Sequence, residues 1–225
     1  MVRRFVKDNG LSLFFLVAFA LSLVGQSFAG NAAANADRLA EGGTALSWPA
    51  YVTSSDFAVD VAENWQSEYL QFLLFILATV WLVQRGSPES KKPGAQGEES
   101  DAEQKIGRHA APDSPAWAGA GGLRQGLYGR SLGLLMGLIF VLSWLAQSVA
   151  GTAAYNARQL AQLQDPLSWG EYVVSADFWN RTLQNWQSEF LAVLSMVVLS
   201  VYLRQRGSPE SKPVGAPHEA TGVEG

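Results

Sequence analysis

Four apolar blocks set the pattern along the chain. Leu11 to Ala29 carries no charge, and neither does Ser131 to Ala150. A membrane-crossing helix needs about 17–25 mostly apolar residues. Both blocks therefore predict spanning helices, over about 11–29 and 131–150. The apolar run from Tyr69 to Val83 is short by that measure. It is preceded by a polar stretch, and Asp56 to Gln84 holds no Gly or Pro. It reads as one long helix whose last part, about 66–84, spans. Asp177 to Gln205 has the same form, with a span over about 187–205. Trp65 and Trp81 lie about 24 Å apart at 1.5 Å per helical residue. They anchor the two faces of a hydrocarbon core about 30 Å thick, and Trp186 and Tyr202 do the same in the last block. The fold class predicted is all-α: an integral membrane protein with four transmembrane helices.

A repeat underlies these blocks. Asn64-Trp65-Gln66-Ser67-Glu68 recurs as Asn185-Trp186-Gln187-Ser188-Glu189, 121 residues further on. The same offset carries Gln26-Ser27 onto Gln147-Ser148 and Leu46-Ser47-Trp48 onto Leu167-Ser168-Trp169. It carries Tyr51-Val52 onto Tyr172-Val173, Asp56-Phe57 onto Asp177-Phe178, and the run Gln84 to Lys91 onto Gln205 to Lys212 without a gap. About half of the positions from Leu11 to Lys91 are identical in the second copy. Fixed-period self-similarity of this kind marks tandem structural units. The chain divides into a first repeat (1–91), a linker (92–125), a second repeat (126–212) and a tail (213–225). The linker and tail are rich in Gly, Pro, Ala and Glu and are expected to be disordered. The basic start (Arg3, Arg4, Lys7) and Ser27-Phe28-Ala29 resemble a signal peptide with its cleavage site. The equivalent block at 131–150 lies mid-chain, which favours an uncleaved helix.

Charge sets the orientation. With both termini and the linker in the cytoplasm, 13 of the 16 basic residues lie inside, and only Arg38, Arg158 and Arg181 lie outside. This is the positive-inside pattern. Each unit then enters and leaves on one side, so the repeats are parallel. The external loops, 30–55 and 151–176, open on an Ala-rich stretch that extends the first helix outward. Each then carries Leu-Ser-Trp-x-x-Tyr-Val, read as a short amphipathic segment at the outer interface with Trp48 and Trp169 as anchors.

Composition narrows the chemistry. Only 16% of residues are charged, against about 25% in soluble domains. There is no Cys, which excludes disulfides, thiolate catalysis and Cys-ligated metals. The two histidines, His109 and His218, lie in the polar segments. No cofactor or metal is expected. P-loop, nucleophile-elbow, zincin and dinucleotide signatures are absent, and no basic groove supports nucleic-acid binding.

The basic start, Leu-Ser-Trp-x-x-Tyr-Val, Asn-Trp-Gln-Ser-Glu and Gln-Arg-Gly-Ser-Pro-Glu-Ser-Lys together resemble a bacterial membrane-protein family, a domain of unknown function. The resemblance covers both repeats and implies a bacterial plasma-membrane location. It brings no activity or catalytic residues with it.

The candidate polar site is built on Glu68 and Glu189, each one turn past a Trp. An ionisable group within a membrane is a functional hypothesis by default. Asn64 and Asn185 lie one turn earlier on the same helix face. Gln26 and Gln147 sit near the outer ends of the first helices as interhelical glue. Facing each other, the two Asn/Glu sets would form an acidic mouth for a cation or proton. The alternative is that both carboxylates reach headgroups and serve packing. Arg85 and Arg206 are inner-interface anchors in Arg-Gly-Ser-Pro helix stops. That account leaves Glu89-Ser90-Lys91 and Glu210-Ser211-Lys212 unexplained. Gly129, Gly133 and Gly137 permit close helix approach, within the chain or in a dimer. Asp56 and Asp177 are expected as helix caps. The function expected is a non-enzymatic interaction or assembly protein in a lipid bilayer, partnered by itself or by another membrane protein. The alternative is a small cation or proton transporter; a paired-carboxylate hydrolase is more remote.

Overall fold

The computed structural model describes residues 2–223. Its regular structure is helical, with no strand among the described residues. Helix α1 (Val2–Asp8) leads into α2 (Gly10–Ala40), α3 (Trp48–Val52) and α4 (Ser55–Trp81). Helix α5 (Leu123–Gly129) leads into α6 (Ser131–Ala161), α7 (Trp169–Tyr172) and α8 (Ala176–Tyr202). The all-α class holds. The Gly- and Pro-free stretches form single long helices, and the Ala-rich segments continue α2 and α6 outward.

Among the described residues two helices, not the expected four, are by themselves long and apolar enough to cross a membrane. They are α2 and α6, each 31 residues with a mean hydropathy of 2.0 over the best stretch. Helices α4 and α8 have 27 residues each, but their first halves are polar. Asp56, Asp60, Glu63 and Glu68 lie in α4, and Asp177, Arg181 and Glu189 in α8. Those groups dilute the apolar second halves over any full span.

The helix caps also differ from expectation. Asp56 and Asp177 are not the capping residues. Ser54 Oγ accepts the Phe57 N–H, and Ser175 Oγ accepts the Phe178 N–H, both at 3.3 Å. A serine just ahead of the helix reaches a free N–H of the first turn. The two aspartates fall inside that first turn, where they complement the positive end of the helix dipole.

The chain forms two compact units. One holds the chain up to Val61 together with Ala146–Tyr172. Within it, one local arrangement occurs twice at the repeat offset. After α2, the Asn35 side chain clamps the returning backbone at Leu46. Its Nδ2 donates to the Leu46 carbonyl at 2.9 Å, and its Oδ1 accepts the Leu46 N–H at 2.7 Å. After α6, Asn156 holds Leu167 the same way, with both bonds at 2.8 Å. Each clamp satisfies two backbone groups that no helix serves. The next element then docks on the helix just left. Trp48 Nε1 donates to Ser27 Oγ at 3.1 Å, and Trp169 Nε1 to Ser148 Oγ at 3.0 Å. Buried Tyr51 and Tyr172 lie against Gly30 and Gly151, where an added Cβ would stand 2.2 and 2.6 Å from the phenol oxygen. Only glycine leaves room there. The start of α3 is set by Pro49 in its first turn. In α7, Ser168 and Glu171 form a reciprocal capping box instead.

The other unit holds Ala62–Leu145 and the chain from Val173 onward. There Gly133 and Gly137 of α6 face Leu77 and Leu73 of α4; an added Cβ would lie 3.7 and 3.6 Å from them. The glycine steps thus serve packing within the chain. Residues 82–122 run as turns around one 3-10 turn, Gly107–His109. Their start folds back on α4, with the Gly97 N–H donating to the Val80 carbonyl at 2.8 Å.

The turns that end α2 and α6 differ in one instructive place. Gly42 (φ +79°) and Leu163 (φ +57°) hold equivalent left-handed positions. A side chain there costs about 1–2 kcal/mol, and the Leu163 side chain, 96% exposed, recovers nothing by packing. Leu163→Gly is expected to stabilise the protein by about 1 kcal/mol and Gly42→Leu to destabilise it. Unfolding midpoints in detergent check both signs.

Candidate functional site

The candidate site lies in the second unit, where the polar halves of α4 and α8 meet. Arg181 Nη1 of α8 donates to Glu63 Oε2 of α4 at 2.6 Å, in an ion pair largely shielded from solvent. One turn on, Trp186 Nε1 donates to Gln66 Oε1 at 2.8 Å. Glu68 and Glu189 follow, near enough for their charges to repel. The contacts advance in the same sense on both helices, so this part of α4 runs parallel to α8.

The two copies of Asn-Trp-Gln-Ser-Glu are used differently. Gln66 and Ser67 are buried, whereas Gln187 and Ser188 are exposed. Trp65 is 42% exposed. Trp186, expected as an interface anchor, is instead half-buried against Trp144, their ring centres 5.8 Å apart. Trp144 also packs on Phe178 (6.2 Å) and Trp179 (6.1 Å). The asymmetry has a sequence cause. The positions equivalent to Trp144 and Trp179 in the first copy are Leu23 and Ala58, so only the second copy can build this aromatic cluster. Gln66 Nε2 and Trp144 Nε1 are buried there without a hydrogen-bond partner.

The other named residues divide. Asn185 Nδ2 donates to the Arg181 carbonyl of its own helix at 3.0 Å rather than to Glu189. The Asn64 and Asn185 carbonyls accept from Ser67 and Ser188, both at 2.9 Å. Gln147 is fully buried and Gln26 half-buried, both in the first unit. Trp48 and Trp169 are bonded to helix serines while keeping 40% and 51% of their surface exposed. Trp81 and Tyr202 are 63% and 62% exposed; Trp81 lies beside Gly97 and Tyr202 packs on His218 at 5.5 Å. Arg85 and Arg206 are exposed beyond their helices.

Several residues that organise the site were missed in the sequence. Asn35/Asn156 and Gly30/Gly151 were legible, since both pairs recur at the 121-residue offset. Glu63 and Arg181 were not, because their counterparts are Gln184 and Asp60. No repeat signal marks them.

A domain-of-unknown-function model, DUF6766, matches residues 2–223. The chain belongs to that family. No curated protein and no solved structure matches it.

The Glu63–Arg181 pair orients α4 against α8. Arg181→Glu is expected to destabilise the protein by about 2 kcal/mol, the range for charged hydrogen bonds and shielded ion pairs. Adding Glu63→Arg should restore part of that loss. A double-mutant cycle on unfolding free energy would reveal an absent coupling as purely additive effects.

Proposed function

We propose that this is a four-pass membrane protein, in a bacterial plasma membrane, that works by association and not by catalysis. The observation that carries the reading is where the repeated polar residues spend their hydrogen bonds. Asn35 and Asn156, Ser27 and Ser148, and Ser90 and Ser211 all bond within the chain and build its turns. What points outward is apolar. Only 6% of the apolar stretch of α2 is buried, and 17% of that of α6. A soluble protein hides such helices in its core. The second halves of α4 and α8 are uncovered too, with Phe72, Leu77, Leu191 and Leu194 each more than half exposed. A polar first half on a helix ending in lipid-facing residues suits a span that carries polar groups to one interface. Contiguous apolar surface on this scale is an interaction surface for lipid and for neighbouring helices. Both termini and the linker lie in the cytoplasm on this reading.

The chain lacks Cys, so single cysteines report cleanly. With a membrane-impermeant maleimide on intact cells, Thr44→Cys is expected to label and Ala102→Cys to label only after permeabilisation. External labelling of Ala102→Cys would sink the four-pass topology. Photo-crosslinkers at the exposed Leu135 and Leu194 should trap one discrete larger species in native membranes. A chain that stays monomeric and unpartnered at both positions overturns the association reading.

The approach of Glu68 to Glu189 supports a second reading, a cation or proton pathway. In liposomes, flux above empty vesicles that falls with Glu68→Gln and Glu189→Gln together would favour it. No flux under a pH gradient or with several cations removes it.

A further inference from the structure

The two Gln-Arg-Gly-Ser-Pro-Glu-Ser-Lys strings follow α4 and α8 and fold alike. Ser90 Oγ accepts the Gln84 N–H and Ser211 Oγ the Gln205 N–H, both at 2.9 Å. Gly86 and Gly207 take left-handed backbone at φ +89° and +83°, as residues just past a helix often do. Their surroundings differ. Ser87 is 2% exposed, whereas Ser208 is half-buried, and a Cβ added at Gly207 would meet nothing within 4 Å among the described residues. The cover over the first turn is the tail that follows the second.

Prolines begin two tight turns in the tail. The Ala216 N–H donates to the Pro213 carbonyl at 2.9 Å, and the Ala220 N–H to the Pro217 carbonyl at 3.1 Å. The curl they make closes on one cation. Lys212 Nζ donates to the carbonyls of Pro217, His218 and Ala220 at 3.3, 2.8 and 3.2 Å. All three ammonium donors are thereby used, and Lys212 is 1% exposed. Arg204 Nη2 donates to the Ala216 carbonyl at 3.0 Å, and the His218 ring packs on Tyr202 at 5.5 Å. The far end of the tail then meets the first turn. The Gly86 N–H donates to Thr221 Oγ1 at 2.8 Å, and Thr221 Oγ1 donates on to the Glu219 carbonyl at 3.1 Å. The Gly222 N–H donates to the Ser87 carbonyl at 3.0 Å. The His218 carbonyl lies so close over Gly86 that a side chain there would collide with it.

We propose that the tail is a releasable strap, buckled by the Lys212 ammonium, that covers the Gly86–Ser87 turn and leaves its twin at Gly207–Ser208 open. Lys212 acts on the first turn through the tail. By holding three carbonyls with charge-assisted bonds, it fixes the backbone that carries Thr221 and Gly222. The far end is held by hydrogen bonds and not by apolar burial: the tail's valines, Val214 and Val223, are 62% and 36% exposed. Segments with so little buried apolar surface open locally well before the rest of a fold. Release frees one N–H, of Gly86, and one carbonyl, of Ser87, the groups by which an exposed backbone pairs with an extended peptide. The strap thus decides whether the molecule shows one open turn of this kind or two.

Because the chain has no Cys, Ser87→Cys places a single thiol under the strap and Ser208→Cys places one on the open turn. Their alkylation rates in the full chain in lipid nanodiscs, each divided by its rate in denatured protein, read the cover. Ser87→Cys is expected to react about tenfold more slowly than Ser208→Cys, or slower still, the scale set by breaking charge-assisted hydrogen bonds in a local opening. Deleting Val214 to Gly225 should bring Ser87→Cys up to the Ser208→Cys rate. Lys212→Met, which keeps the side chain's length but has no donor, should do the same with the tail present. Neither change should move Ser208→Cys. Equal rates for the two thiols in the full chain, or a slow Ser87→Cys rate that survives the deletion, overturn the strap. So does a matching rise at Ser208→Cys, since both turns would then be loosening together. A rate raised by the deletion but not by Lys212→Met removes Lys212 as the buckle.

Discussion

The parallel contact between α4 and α8 is the constraint on which the second compact unit depends. It is fixed by two charged or polar contacts, Glu63–Arg181 and Gln66–Trp186. Shielded contacts of this kind stabilise modestly but specify strongly, since any slip in register leaves a charge or a donor without its partner. Sliding α8 by one turn would part Arg181 from Glu63 and the Trp186 indole from Gln66. The register so fixed also brings the Trp186 ring to the buried Gln66 side chain and, on its other side, to Trp144.

The first unit obeys a different demand. Each long helix is followed by a reversal whose backbone groups have no helical partners. Water can serve such groups on an open surface, but fixing one loop geometry takes side chains. Asn35 and Asn156 supply a donor and an acceptor together, matching both sides of one peptide unit. The indole N–H of Trp48 or Trp169 and the phenol of Tyr51 or Tyr172 then lay the next short helix on a serine and a glycine of the helix before. In both copies of Leu-Ser-Trp-x-x-Tyr the Leu backbone, the Trp indole and the Tyr phenol do these jobs.

Much of this could be read in the sequence, and the misses share a cause. Helix existence and extent followed from the absence of Gly and Pro between Asp56 and Gln84, and the repeat followed from identical strings. Sequence identity does not report environment, however. Gln66 and Gln187 are identical, yet one is buried and the other exposed, because Trp144 and Trp179 exist only in the second copy. In α4 and α8 a polar first half shares the helix with a short apolar second half, so neither alone matches α2 and α6 in apolar length. Asp56 and Asp177 read as caps by residue type, yet they fall inside the first turn. Ser54 and Ser175 sit nearer the true helix starts, and a hydroxyl reaches the first-turn N–H as well as a carboxylate does. The Ser-Lys residues past the helix stop were unexplained because their side chains bond to backbone atoms of the same turn and of the next segment.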